Sequence, residues 1–162
     1  MASQVYRETQ TYRGTWVMYL ILLIELPTLV LLLVFFVQAK DKTEMGIALS
    51  VVGGTLTLIL LFIFNLKLET RIDQIGVSFK FFPFVRNWRK YPKEKIKSIT
   101  VVNYSPITDF GGWGLKGNST TKAYSILGDM GLLLDVGEKK KIMIGTMKAN
   151  ELKDFLSSWK EE

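Results

Sequence analysis

Two apolar runs separated by a short polar break constrain this chain more than any other feature: WVMYLILLIELPTLVLLLVFFV at 16–37 and GIALSVVGGTLTLILLFIFNL at 46–66. Each is about 20 residues long, the length at which an α-helix crosses about 30 Å of hydrocarbon. Lipid offers the backbone no hydrogen-bond partners, so a hairpin of two helices is the expected form. Residues 67–162 contain no such run and read as strands and turns. The expected organisation is a polar tail at 1–15, a transmembrane hairpin at 16–66 and one soluble α+β, mainly β, domain at 67–162. The first run is too long for the apolar region of a secretory signal and lacks a small-x-small cleavage site, so a retained span is expected.

Charge is unevenly placed. Up to Leu66, Arg7, Arg13, Lys40 and Lys42 are cancelled by Glu8, Glu25, Asp41 and Glu44, so the whole net charge of +6 lies in the soluble part. Under the positive-inside rule this excess places the long segment, and with it the N-terminus, in the cytoplasm. A basic domain tethered to a bilayer points to an anionic lipid surface before it points to nucleic acid. The chain has no Cys and no His. That removes thiol nucleophiles, thiolate metal sites and the commonest general base, so no cofactor, metal or catalytic residue is expected.

Within the first span Glu25 and Pro27 interrupt the apolar pattern. A carboxylate near the middle of a span is expensive. In an antiparallel hairpin Glu25, nine residues after Trp16, lies level with Thr57, nine before Leu66. Thr55 or Thr57 is therefore expected to accept a hydrogen bond from its carboxyl, as an interhelical clasp; an ion pathway is the alternative. Gly46, Ser50, Gly53 and Gly54 give the second span a small-residue face that lets helices approach closely. That face serves packing within the hairpin or self-association into a homo-oligomer.

In the soluble part, Leu68, Thr70 and Ile72 alternate with charged residues, and Val77, Phe79 and Phe81 do the same after an Asp73–Gly76 turn. Residues 68–82 thus predict a β-hairpin. The next stretch, FVRNWRKYPKEKIK, concentrates Arg86, Arg89, Lys90, Lys93, Lys95 and Lys97, with a strand through Trp88 and one helical turn at 92–95. These six bases are the candidate contacts to anionic lipid headgroups, with Phe84 and Trp88 as interfacial anchors; a solvated basic face is the plain alternative. A fourth strand spans 96–104. Gly111, Gly112, Trp113 and Gly114 lack phosphate-loop spacing and predict a bulged strand that gives a buried indole backbone room; stacking on an aromatic ligand is the alternative. Further strands are expected near 122–126, 130–136 and 140–144, joined by hairpin turns at Gly128-Asp129 and Gly137-Glu138. The Asn118-Ser119-Thr120 sequon is read as chance. Leu152, Phe155, Leu156 and Trp159 at i, i+3, i+4, i+7 predict an amphipathic helix, with Lys153, Asp154 and Lys160 outward.

About seven strands capped by a C-terminal helix resembles a pleckstrin-homology-like (PH-like) barrel. The details carrying the resemblance are the two preceding spans, Gly76, the Tyr-Pro-Lys-Glu-Lys-Ile turn at 91–96, Tyr104-Ser105-Pro106, Phe110-Gly111-Gly112-Trp113-Gly114 and Ile144-Gly145-Thr146. They are similar to bacterial PH-like membrane proteins over residues 16–160. The resemblance implies a fold and topology; it implies neither catalytic residues nor phosphoinositide binding. The expected function is a membrane-anchored binding or scaffold module with a protein partner yet to be identified. The alternative is a subunit of an oligomeric transporter or channel that uses Glu25.

Overall fold

A computed structural model describes residues 5–161 of the chain, with side chains through Trp159. The chain divides into two units: Tyr12–Asn65, and the residues up to Thr11 together with those from Leu66 onward. The expected outward direction of Lys160 falls outside the described side chains.

The first unit is a pair of helices, α1 (Trp16–Gln38) and α2 (Lys42–Asn65). Both are long and apolar enough to cross a membrane. Thr15 caps α1, its hydroxyl accepting from Met18 N–H. The α2 helix starts four residues earlier than the apolar run, because Asp41 Oδ1 accepts from the backbone of Thr43 and Glu44 at 2.8 and 3.1 Å. Such capping satisfies donors at a helix start that have no partner within the helix. The Lys42 ammonium meanwhile donates to the last carbonyls of α1, Phe36 and Val37. At the open end, Arg13 Nε donates to Phe64 O at 3.0 Å, its guanidinium lying over the Phe64 ring. A Cβ added at Gly53 would sit 3.5 Å from Leu29, and one at Gly46 would sit 3.5 Å from Phe36. The helices therefore meet in the register that puts Glu25 level with Thr57.

The second unit holds nine strands among the described residues. An antiparallel sheet has the order β1 (Tyr6–Thr11), β2 (Lys67–Asp73), β3 (Gly76–Phe82), β4 (Val85–Pro92). A second, mixed sheet runs β5 (Ser98–Asn103), β8 (Met130–Asp135), β9 (Lys141–Thr146), β7 (Thr121–Ser125), β6 (Gly114–Gly117). A 3-10 turn (Lys93–Lys95) and a short helix α3 (Pro106–Phe110) punctuate the chain, which ends in α4 (Ala149–Glu161).

The two sheets do not close into one barrel. The core lies between them, with Leu68, Ile72, Val77, Phe79 and Phe81 from one and Ile126, Leu132, Leu134 and Ile144 from the other. Tyr124 joins the layers, 4.7 Å from the Phe79 ring. The expected helix forms with Leu152, Leu156 and Trp159 buried, and the Trp159 indole donates to Asp73 O at 2.7 Å. The far side of the second sheet is also covered, since Phe110 of α3 packs on Tyr104 beside Ala123 and Met143.

Three expectations change. Residues 6–11 are an edge strand paired with β2 from Tyr6↔Ile72 to Thr11↔Lys67, where a tail was expected, so the helical hairpin is inserted between paired strands. Gly128-Asp129 is not a hairpin turn: β7 runs parallel to β9, and β8 pairs with β5 and β9. The strand count is nine, against about seven. The Gly137-Glu138 turn does join antiparallel neighbours, as do Asp73–Gly76.

Candidate functional site

The six bases of 86–97 are distributed by strand alternation and do not form one patch. On β4, Val85 points into the core, while Trp88 and Lys90 line recesses on the outer face of the first sheet. Arg86 is exposed, its guanidinium 6.0 Å from the Phe82 ring. Arg89 instead bonds the Tyr124 hydroxyl at 3.0 Å, and Lys93 donates to Trp159 O at 2.7 Å at the C-terminal turn of α4. A cation there complements the helix dipole. Lys95 is exposed on the 3-10 turn, and the Lys97 side chain lies against Gly137, where an added Cβ would stand 2.8 Å from its Cε. Of the expected aromatic anchors, Phe84 is 51% and Trp88 40% exposed, as is Phe82 at 40%. Phe82 pairs with Lys67, at the end of the ladder where the chain leaves α2.

Sequence reasoning missed the cations that accompany Lys90. The register sets Arg7 opposite Arg71, Arg71 opposite Ser78 and Ser78 opposite Lys90. Two recesses flank this row. One, of about 330 Å³, is lined by Arg71, Ser78, Trp88 and Lys90 among others. The second, of about 300 Å³, is lined by Arg7, Thr9, Arg71 and Trp88 among others. Asp73 engages Arg71 Nε at 3.0 Å. The other acid of this face, Glu69, is shared by Lys67 and Lys80. Burial raises Glu69, but the two lysines outweigh it and hold the carboxyl below its usual range. The visible signal was Arg7, whose charge is cancelled when residues up to Leu66 are counted together.

A buried polar network also went unread. Glu8 Oε2 accepts from the Tyr6 and Thr146 hydroxyls, both at 2.7 Å. Its Oε1 accepts from Met147 N–H at 2.7 Å and from the Gln10 amide at 3.1 Å. The same amide nitrogen donates to Gly145 O at 2.7 Å. Burial pushes the Tyr6 hydroxyl well above the ordinary tyrosine range, which keeps it a donor. With both Glu8 oxygens accepting two bonds each, this cluster is a structural clasp between β1 and the β9–α4 junction, although Gln10 Oε1 is buried without a partner among the described residues.

Glu25 is 7% exposed, yet the expected clasp does not form. Thr55 and Thr57 donate to Val51 O and Gly53 O of their own helix at 2.7 and 2.8 Å. Glu25 Oε2 is buried without a hydrogen-bond partner among the described residues. Gly46 and Gly53 of the small-residue face meet α1, whereas Ser50 and Gly54 are exposed.

Nor do the glycines around Trp113 make room for a core indole. Gly111 is the left-handed cap of α3 at φ 74°, and Gly112 and Gly114 have φ of 124° and 104°. An added Cβ would meet nothing within 4 Å at any of the three, so glycine serves dihedral freedom here. Trp113 is half-buried, its indole donating to Gly128 O at 3.0 Å. Asn118, read as part of a chance sequon, organises a turn by accepting from the N–H groups of Thr120 and Thr121 at 2.9 Å.

Compared with known proteins, the chain matches no family model, no curated protein and no solved structure.

Proposed function

We propose that the chain is a two-pass membrane-anchored binding module of PH-like architecture, acting at the cytoplasmic surface of the cell membrane. The observation that carries this reading is the pair of apolar helices of 23 and 24 residues, inserted between paired strands of a basic β unit. Support for PH-like architecture comes from a four-stranded antiparallel sheet, a second sheet packed on it and a C-terminal amphipathic helix. The parallel β7–β9 pair departs from a simple meander. The Lys/Arg excess after Leu66 supports cytoplasmic termini, with the Ala39 turn outside. The module binds an unidentified protein partner, anionic headgroups or both, and is not an enzyme. Single cysteines at Ala39 and Ser157, tested with an impermeant thiol reagent on intact cells, should label only at Ala39. Labelling only at Ser157 reverses the orientation, and labelling of neither in permeabilised cells overturns the exposure on which the test depends.

A second reading, a subunit of an oligomeric transporter or channel, rests on the unpartnered Glu25 Oε2 and the exposed Ser50 and Gly54. Loss of ion flux in Glu25→Gln vesicles, with melting unchanged, favours it.

A further inference from the structure

The outer face of the first sheet carries a row with one residue on each strand, Arg7, Arg71, Ser78 and Lys90, in which Arg7 and Arg71 are directly opposed and Lys90 stands one strand further on, across Ser78. Like charges directly opposed across a ladder are destabilising. The fold leaves much of this repulsion in place. Asp73 Oδ2 lies 3.0 Å from Arg71 Nε as an ion pair, but that N–H makes no hydrogen bond among the described residues. Among the described residues, no carboxylate lies within ion-pair distance of Arg7 or Lys90.

The recesses beside the row repeat one set of groups. One presents Arg71, Lys90 and the Ser78 hydroxyl beside Asp73, the other Arg7, Arg71 and the Thr9 hydroxyl beside Glu8 and Glu69, and Arg71 and Trp88 belong to both. Asp73 is paired with Arg71, Glu69 with Lys67 and Lys80, and Glu8 is bonded within its own network. Strands lie about 4.8 Å apart, so the row spans about 14 Å. That leaves room for more than one phosphoryl group, in one ligand or in neighbouring headgroups, with Arg71 between them. Guanidinium forks favour phosphate oxygens, and the indole offers an apolar wall to whatever carries them.

We propose that this face binds a phosphate-bearing ligand, with Arg7, Arg71 and Lys90 as its cationic contacts and Trp88 as its apolar one. The site stands on strand register and is independent of the membrane orientation proposed above. It also differs from the run at 86–97, sharing with the expected lipid contacts only Lys90 among the bases and Trp88 among the aromatic anchors.

The test uses the full-length protein in a nonionic detergent. Calorimetric titration with pyrophosphate forms one arm; mixed micelles carrying phosphatidic acid, against phosphatidylcholine, form the other. Saturable binding is expected in at least one arm, weakening as salt is raised. Arg7→Gln and Arg71→Gln should each weaken it by about tenfold or more, consistent with loss of a charge-assisted contact. Lys122→Gln removes the same charge from an exposed position on β7 of the other sheet and should change nothing. Arg71→Gln also loses the Asp73 pair, so Arg7→Gln, whose melting temperature should hold or rise, separates binding from folding. Binding to pyrophosphate identifies a soluble source and binding confined to phosphatidic acid a lipid one; either supports the site. No saturable binding in both arms, or equal weakening by Lys122→Gln, overturns it.

Discussion

The Thr146 hydroxyl donates to Glu8 Oε2 at 2.7 Å across 138 residues of chain. Glu8 simultaneously accepts from Tyr6, Gln10 and Met147 N–H. Removing it strands several buried donors at once, and each unsatisfied group costs about 1–3 kcal/mol. Glu8→Ala is therefore expected to destabilise the β unit by at least about 3 kcal/mol, measured by thermal or urea melting of the full chain. A change below about 1 kcal/mol contradicts the clasp.

Stability should fall on the alkaline side. Burial is the leading cause that raises Tyr6, Tyr91 and Tyr104 above the ordinary tyrosine value of 10.0. Above that value the unfolded chain releases phenolic protons that the folded chain retains. Each such group then removes up to about 1.4 kcal/mol per pH unit, until the folded value is reached. Below it the contribution is fully present. Tyr6→Phe and Tyr104→Phe should each flatten the alkaline limb of melting temperature against pH; an unchanged limb rejects the assignment. Glu69 works in the opposite sense. Its lowered carboxyl stabilises at neutral pH and loses that contribution as acid protonates it, so the cost of Glu69→Gln, below about 1 kcal/mol because both partner lysines reach solvent, should vanish in acid.

Where apolar alternation and burial coincide, the fold was legible. Leu68 and Ile72, then Val77, Phe79 and Phe81, are all fully buried. The β1 strand was hidden because its inward face is Tyr6, Glu8 and Gln10, a set buried only because residues 145–147 supply its partners. No apolar period announces such a strand. Covered on both sides, the centre of the second sheet leaves β9 a continuous buried run whose pairing no alternation can dictate. The cap signals of α3 were present, Ser105 before Pro106 and Gly111 after Phe110, but five residues carry no helical period. The anionic-ligand row was invisible for a related reason: Arg7 and Arg71 meet only once the two ends of the helical hairpin are stitched together.

Trp113 and Gly76 should respond in the reverse order of their size. A half-buried indole with one hydrogen bond predicts about 1–2 kcal/mol for Trp113→Ala, well short of the roughly 3–5 kcal/mol of a core aromatic such as Phe79→Ala. Gly76 has φ 151°, and a Cβ there would stand 2.1 Å from Tyr91 O, a backbone atom that cannot swing aside. Gly76→Ala should cost more than Trp113→Ala, by about 1 kcal/mol or more. Chemical denaturation of the three variants ranks them, and equal losses for Trp113 and Phe79 would restore the core reading of Trp113.

The pairing of Thr11 with Lys67 makes the β unit separable in a way that a simple cut does not. A fragment beginning at Lys67 loses β1, and with it Glu8, Gln10 and Tyr6, and leaves β2 as an open edge whose backbone groups are free to recruit other chains. Such a fragment should aggregate or melt early. Replacing residues 12–66 by Asn-Gly instead keeps both strands and closes them with a two-residue turn of the type antiparallel neighbours favour. Every apolar residue of the two long helices is thereby removed, while the Glu8 network and the Arg7–Arg71 row are retained. The expected product is a soluble monomer with one cooperative melt, whose transition falls when Glu8→Ala is added. Size-exclusion chromatography and thermal melting decide the matter. If the Lys67 fragment is equally soluble and equally stable, β1 contributes nothing and the inserted-hairpin topology loses its energetic basis.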